Sequence, residues 1–122
     1  MEGVGQAVGQ SVTLPISESE ADFQGWFLDL AHVTGWLCHH TRPAWSEKGY
    51  RTPIMGDAGF PDWVLVRGER LLLVELKSAK GKVSPAQQVW HNALKVAMRR
   101  SPSVRLCIWR PGDRLEIEQV LW

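Results

Sequence analysis

An amphipathic helix is predicted near the start of the chain, where apolar residues recur every three to four positions. Phe23, Trp26, Phe27 and Leu30 form this stripe, and their spacing is typical of a helix of about 16 residues with one buried face. Gly35 follows the stripe and predicts the end of the helix.

A second helix is predicted from Pro85 to about Arg100, because Ser84 can cap it and Gln87 stands at the capping-box position. Its apolar positions predict a stripe that faces the core: Ala86, Val89, Trp90, Ala93, Leu94 and Ala97.

Short apolar runs between and after these helices predict strands. The runs are Trp36–Thr41, Asp62–Val66, Leu71–Lys77 and Val104–Trp109. The segment Arg67–Arg70 is typical of a hairpin turn, and a last short helix is predicted over Arg114–Leu121, capped by Asp113. The order α β β β α β α predicts an α/β fold in which a mixed β-sheet is flanked by α-helices.

Two segments lack such a pattern. Residues 1–17 are rich in Gly, Gln and Ser, and we expect a flexible or extended arm before a single domain of residues 18–122. Arg42–Pro61 contains three prolines and three glycines and is predicted to be a loop. A loop of this length without secondary structure is uncommon in a small domain and is usually functional.

Length and composition narrow the class of protein. A chain of 122 residues has room for one domain, and no apolar run approaches the roughly 18 residues of a membrane helix. The first ten residues lack the basic and apolar regions of a secretory signal. We therefore expect a cytoplasmic protein in which Cys38 and Cys107 are reduced core thiols.

The net charge of +1 conceals a strong asymmetry along the chain. All 14 basic residues lie between Arg42 and Arg114, against six acids, whereas residues 1–41 contain five acids and no Lys or Arg. A basic segment of this kind suits a polyanionic partner. The alternative at this level is a solvated surface of mixed charge.

Three charged residues fall where apolar residues are expected. Asp62 opens one predicted strand, and Glu75 and Lys77 lie on one face of the next. Two buried carboxylates that approach each other need a proton or a cation between them, and Mg²⁺ or Mn²⁺ is the natural cation. Such a site suits phosphodiester hydrolysis. The alternative is a simple Glu75–Lys77 ion pair with Asp62 at a turn.

Four segments in order resemble the virus-type replication-repair nuclease (VRR-NUC) domain, a branch of the PD-(D/E)xK nucleases. They are Gly59-Phe60-Pro61-Asp62, Glu75-Leu76-Lys77, Ser84-x-x-Gln87-x-x-Trp90 and Val104–Trp109 followed by Arg110-Pro111-x-Asp113. The resemblance covers roughly residues 18–121. It implies a restriction-endonuclease-like core and DNA cleavage that depends on Mg²⁺ or Mn²⁺.

The resemblance also implies roles for individual residues. Its active-site positions fall on the metal-binding acids Asp62 and Glu75, the backbone carbonyl of Leu76 as a further metal ligand, the catalytic Lys77, and Gln87 facing the site from its helix. An acid on the first helix usually joins the metal ligands in this family, and Glu20 fits that position best.

The chain is similar to stand-alone members of the family from bacteria and phages, which resemble homodimeric Holliday-junction resolvases. This implies branched DNA as substrate and a homodimer in the cytoplasm of a bacterial or phage-infected cell. Alternatives are a nuclease for flapped or linear duplex DNA and a catalytically silent DNA-binding module. Lys48, Arg51, Lys80 and Lys82 flank the predicted site and are candidate phosphate contacts.

The histidines and one tryptophan carry weaker expectations. His39 and His40 are neighbours on a strand and should point to opposite faces, which disfavours a shared metal. His32 and His91 are predicted to lie on helix surfaces. Trp45, in a polar segment, is a candidate for stacking on a base.

Overall fold

The computed structural model describes residues 19–41 and 54–122, together with the backbone of two short strands at 44–46 and 49–51. The predicted arm of residues 1–17 lies outside the described residues. The elements are α1 (Glu20–Val33), β1 (Leu37–His40), β2 (Ala44–Ser46), β3 (Gly49–Arg51), β4 (Trp63–Arg67), β5 (Arg70–Leu76), α2 (Pro85–Met98), β6 (Val104–Trp109) and α3 (Arg114–Leu121).

The main sheet has the strand order β1-β4-β5-β6. β1 and β5 both pair antiparallel with β4, and β6 pairs parallel with β5 after the α2 crossover. The predicted α/β class, with a mixed sheet flanked by helices, is confirmed. β5 is central, and its residues from Leu72 to Leu76 are all buried, as expected for a strand covered on both faces.

The hydrophobic core lies between one face of the sheet and helices α1 and α3. The Phe27 ring meets the Trp63 ring edge-on, with ring centroids 5.1 Å apart. The indole nitrogen of Trp36 donates a hydrogen bond of 2.9 Å to the carbonyl oxygen of Leu121. Burial of these aromatic side chains supplies much of the apolar surface that a small domain needs.

Arg67 fastens the end of α3 to the rest of the fold. Its guanidinium lies 4.5 Å from the centroid of the Trp36 ring. It donates hydrogen bonds of 2.8, 2.7 and 3.2 Å to the carbonyl oxygens of Thr34, Leu121 and Trp122. A cation is favourable there because the carbonyls at a helix C-terminus are unpaired and partially negative.

The apolar stripe predicted for α2 does not coincide with its buried side. Val89 of that stripe is 68% exposed, whereas His91, predicted to lie on the surface, is fully buried at 0%. Gln87 and Leu94 share the inward side with His91 and are half-buried. The apolar periodicity of α2 does not predict its buried side, because the helix places polar side chains over the polar end of β5.

Two smaller predictions also need correction. Arg42–Pro61 is not an unbroken loop, because β2 and β3 form an antiparallel hairpin with Trp45 paired to Tyr50. Both residue types favour strands, but the surrounding prolines and glycines obscured them. The Asp113 side chain does not cap α3; it accepts a 2.8 Å hydrogen bond from the backbone nitrogen of Arg110.

Other expectations are met in the part of the chain that is described. Cys38 and Cys107 are both free thiols, half-buried and buried respectively. Burial raises the pKa of Cys107 to about 12. His39 is exposed, while the His40 ring stacks on Trp63 on the other side of the strand, with centroids 4.0 Å apart. None of the helices described at 19–41 and 54–122 is long and apolar enough to cross a membrane.

Candidate active site

Strand pairing brings Asp62 next to Glu75. Trp63 pairs with Val74 in the antiparallel β4–β5 ladder, so the residue before Trp63 faces the residue after Val74. The backbone carbonyl of Asp62 accepts a 2.9 Å hydrogen bond from the backbone nitrogen of Thr41. The start of β4 is therefore fixed on both sides, and the two carboxyl groups meet at one edge of the sheet.

Glu75 is a buried carboxyl group with an incomplete set of partners. Its side chain is 1% exposed, and its Oε1 atom has no hydrogen-bond partner. Burial raises its pKa to about 8, and the charge of Asp62 and a side-chain hydrogen bond to Asp62 act in the same direction, against the smaller influence of Lys77. Glu75 therefore keeps its proton at neutral pH, and its side chain is hydrogen-bonded to Asp62.

Lys77 is held beside these carboxyls by Gln87. Its Nζ atom donates a 2.7 Å hydrogen bond to Oε1 of Gln87, and the same oxygen accepts a 2.9 Å hydrogen bond from the backbone nitrogen of Ser84. The Ser84 hydroxyl in turn accepts from the backbone nitrogen of Gln87 at 3.1 Å. The capping box of α2 thus fixes the amide that orients the lysine.

His91 completes the buried part of the site. Its Nε2 atom lies 3.9 Å from Oε1 of Glu75, with both side chains 1% exposed. Neither ring nitrogen has a hydrogen-bond partner. Burial, followed by the charges of Lys95 and Lys77, lowers the pKa of His91. The imidazole is therefore neutral, with one donor and one acceptor nitrogen.

The segment before Asp62 packs closely on the start of α2. Gly59 has φ of +104°, and a Cβ atom there would lie 2.5 Å from the backbone carbonyl group of Ala86. The indole nitrogen of Trp90 donates a 3.1 Å hydrogen bond to the carbonyl oxygen of Asp57, and its ring meets Phe60 edge-on. Glycine is therefore required at position 59 for Asp62 to reach its place.

A pocket of about 460 Å³ opens over the site. Asp62, Ser84 and Gln87 contribute polar groups to its wall, and Ile54 and Phe60 contribute apolar surface. Glu75 and His91 are fully enclosed beside this pocket and do not line it. A ligand in this pocket could therefore contact Asp62 directly, whereas Glu75 is not exposed to it.

The loop after β5 presents the predicted lysines to solvent. Arg110 holds this loop through Nη1, which donates hydrogen bonds of 2.7 and 2.6 Å to the carbonyl oxygens of Ser78 and Gly81. Lys80 and Lys82 are exposed on it, as phosphate contacts would require. Lys48, the side chain of Arg51 and the side chain of Trp45 lie outside the described residues.

Glu20 is not brought into this group. It is the first residue of α1 and is exposed. The residues described contain no cluster of three or more His, Cys, Asp or Glu side chains able to hold a metal ion. Leu76, whose backbone carbonyl is a predicted metal ligand, lies between Glu75 and Lys77. Its side chain is buried on the opposite face of β5.

Sequence reasoning overlooked His91, although a signal for it was present. His91 lies four residues after Gln87, and residues at this spacing share one face of a helix. A glutamine that faces the site from position 87 therefore implies that His91 faces it as well. The apolar residues on the neighbouring face of α2 are a stronger sequence signal for the buried side than Gln87 and His91 are.

Comparison with known proteins gives no further guide to function. A scan against protein-family models, a search of curated proteins and a search of solved structures each found no match. We therefore assign function from the geometry of the site.

Proposed function

We propose that this protein is a Mg²⁺- or Mn²⁺-dependent endodeoxyribonuclease that hydrolyses phosphodiester bonds in branched DNA, in the manner of a Holliday-junction resolvase. The observation that carries the proposal is the buried Glu75 carboxyl group, which shares a hydrogen bond with Asp62 and has one oxygen without a partner. Nothing in the packing of an α/β core requires two acids at this edge. Burying carboxyl groups costs folding free energy, so their presence there indicates a function.

The side chains fit a hard divalent cation. Asp62 and Glu75 supply carboxylate oxygens, the donor type that Mg²⁺ prefers, and Mg²⁺ sites commonly use only one or two protein carboxylates. The peptide carbonyl of Leu76 is the further ligand that we propose. A bound ion would act as a Lewis acid on the phosphodiester and would take the place of the proton shared by the two acids. Glu20 has no support as a ligand beyond its position on α1.

Lys77 is the residue that acts on the phosphate. Its ammonium group is half-buried, donates a 2.7 Å hydrogen bond to Gln87, and lies near Glu75. In that place it offsets the negative charge that develops on the phosphorus oxygens during attack by water. Because Gln87 is a neutral acceptor, it orients the lysine without cancelling its charge.

The basic loops around the site suit a DNA backbone. Lys80 and Lys82 are exposed beside Lys77, and their charges would contact phosphates on either side of the cut. We propose that a homodimer places two such sites on a four-way junction, since both have two-fold symmetry. The setting that fits this activity is the cytoplasm of a bacterial or phage-infected cell.

The test is cleavage of end-labelled DNA of defined shape. Four-way junction, flapped and linear duplex substrates are compared with Mg²⁺, Mn²⁺ or EDTA. The variants are Glu75→Gln and Lys77→Met, with Lys95→Met as a control on the exposed side of α2. We expect the two site variants to lose about 100-fold or more in cleavage rate and the control to retain it.

The outcomes separate the candidate functions. Equal cleavage by wild type and both site variants would identify a contaminating nuclease and contradict the proposal. Equal rates on linear duplex and junction would favour a general duplex nuclease. Junction binding without cleavage under any metal condition would leave a DNA-binding module.

A further inference from the structure

His91 has no role in the proposed chemistry, yet it is the most deeply enclosed polar residue of α2. Its side chain is fully buried, and both ring nitrogens lack a hydrogen-bond partner. Oε1 of Glu75 also lacks a hydrogen-bond partner, and it lies 3.9 Å from Nε2 of His91. Two orphaned polar atoms that face each other inside a protein are rarely accidental, because buried polar groups are normally paired.

The helix and strand are matched in spacing at this point. Four residues along a helix rise about 6 Å, and two residues along a strand rise about 6.6 Å. Gln87 and His91 on α2 therefore align with Lys77, which directly follows β5, and with Glu75 near the end of β5. Gln87 already contacts Lys77 at 2.7 Å, and the same register places His91 opposite Glu75.

We propose that His91 is a positioning residue whose Nε2–H donates a hydrogen bond to Oε1 of Glu75 and holds the carboxylate in the orientation that binds the divalent cation. This inference rests on the proposed function, since it concerns the same metal site. A shift of about 1 Å closes the present distance to a normal hydrogen bond. Carboxylates that bind metals are commonly oriented by such outer partners.

The test measures metal binding in the absence of DNA. Mn²⁺ affinity is determined by electron paramagnetic resonance and by calorimetry for His91→Gln, His91→Asn and His91→Leu. Glutamine places an amide N–H near the position of Nε2, whereas asparagine places it near Nδ1. His32→Leu, on the exposed surface of α1, is the control.

We expect His91→Leu and His91→Asn to bind Mn²⁺ about 10- to 100-fold more weakly than wild type, and His91→Gln to restore most of the affinity. Thermal unfolding in EDTA shows whether each variant folds. If leucine prevents folding, the contrast between glutamine and asparagine still decides the question.

Two results would overturn the inference in distinguishable ways. Wild-type affinity in folded His91→Leu, beside a loss of affinity in Glu75→Gln, would refute the role of His91 alone. Wild-type protein that binds no Mn²⁺ would refute the metal site of the proposed function, and the positioning role with it.

Discussion

The stability of the metal-free protein should fall as the pH rises through neutrality, because Glu75 must lose its proton inside the fold. Its pKa is raised from 4.5 to about 8 in the folded chain. Between these values the folded state binds a proton that the unfolded state has released. The stabilisation is complete below pH 4.5 and is lost as the pH approaches and passes 8.

In the interval from pH 6.5 to 8.5 the titration of Glu75 dominates. The ordinary pKa of His91 is 6.5 and burial lowers it further, so most of its contribution lies below the interval. The pKa of Cys107 is raised from 9.0 to about 12, so this thiol titrates above the interval. Each pKa unit is about 1.4 kcal/mol, and integration across the interval gives a loss of about 2 kcal/mol for Glu75.

The assay is urea unfolding followed by tryptophan fluorescence, in EDTA, for wild type and Glu75→Gln. The glutamine variant cannot ionise, so its advantage over wild type should grow by about 2 kcal/mol across the interval. The exposed Glu118→Gln is the control and should follow the wild-type profile. Saturating Mg²⁺ at pH 8.5 should stabilise wild type, by about 2.7 kcal/mol at 100 times Kd, and leave Glu75→Gln unchanged. Parallel pH profiles for wild type and Glu75→Gln would refute the reasoning.

Three further predictions test the parts that support the site. Gly59→Ala should cost at least about 2 kcal/mol in unfolding free energy, whereas Gly56→Ala, which shares the positive φ but meets no atom within 4 Å, should cost less; equal losses would contradict the close approach to α2. Arg67→Met should cost about 2–3 kcal/mol, because three carbonyls lose a charged donor; a melting temperature equal to that of wild type would exclude a fastening role. Replacing Lys80 and Lys82 by Gln should weaken junction binding and reduce its dependence on salt, and an unchanged salt slope would place the DNA elsewhere.

Local sequence patterns were sufficient to predict the strands that form the main sheet. The two apolar runs and the turn residues between Asp62 and Lys77 predict a hairpin, and a hairpin fixes which residues lie side by side. The proximity of Asp62 to Glu75 could therefore be predicted without knowing any distant contact. The capping box at Ser84 is similarly local and is present as predicted.

Features that depend on packing between distant elements could not be predicted in this way. Which face of α2 meets the sheet depends on what β5 and β6 present to it, and a helix with apolar residues on two sides gives no unique answer. The enclosure of His91 and the close approach of Gly59 to α2 arise from that choice. The paired strands at 44–46 and 49–51 were not predictable for a different reason, since three-residue strands leave little periodicity to detect.

The failure of the α2 prediction is itself informative about function. Apolar side chains at positions 87 and 91 would pack against a buried strand at lower cost than Gln87 and His91, whose polar atoms need partners. Apolar residues are available on this helix, yet Val89 and Val96 face outward. The inward polar residues match Lys77 and Glu75 in spacing, one by a formed hydrogen bond and the other by two facing orphaned atoms. Both positions are aligned with charged residues at the end of the central strand. A helix that gives up apolar packing at such positions is the arrangement expected where a binding site replaces part of the core.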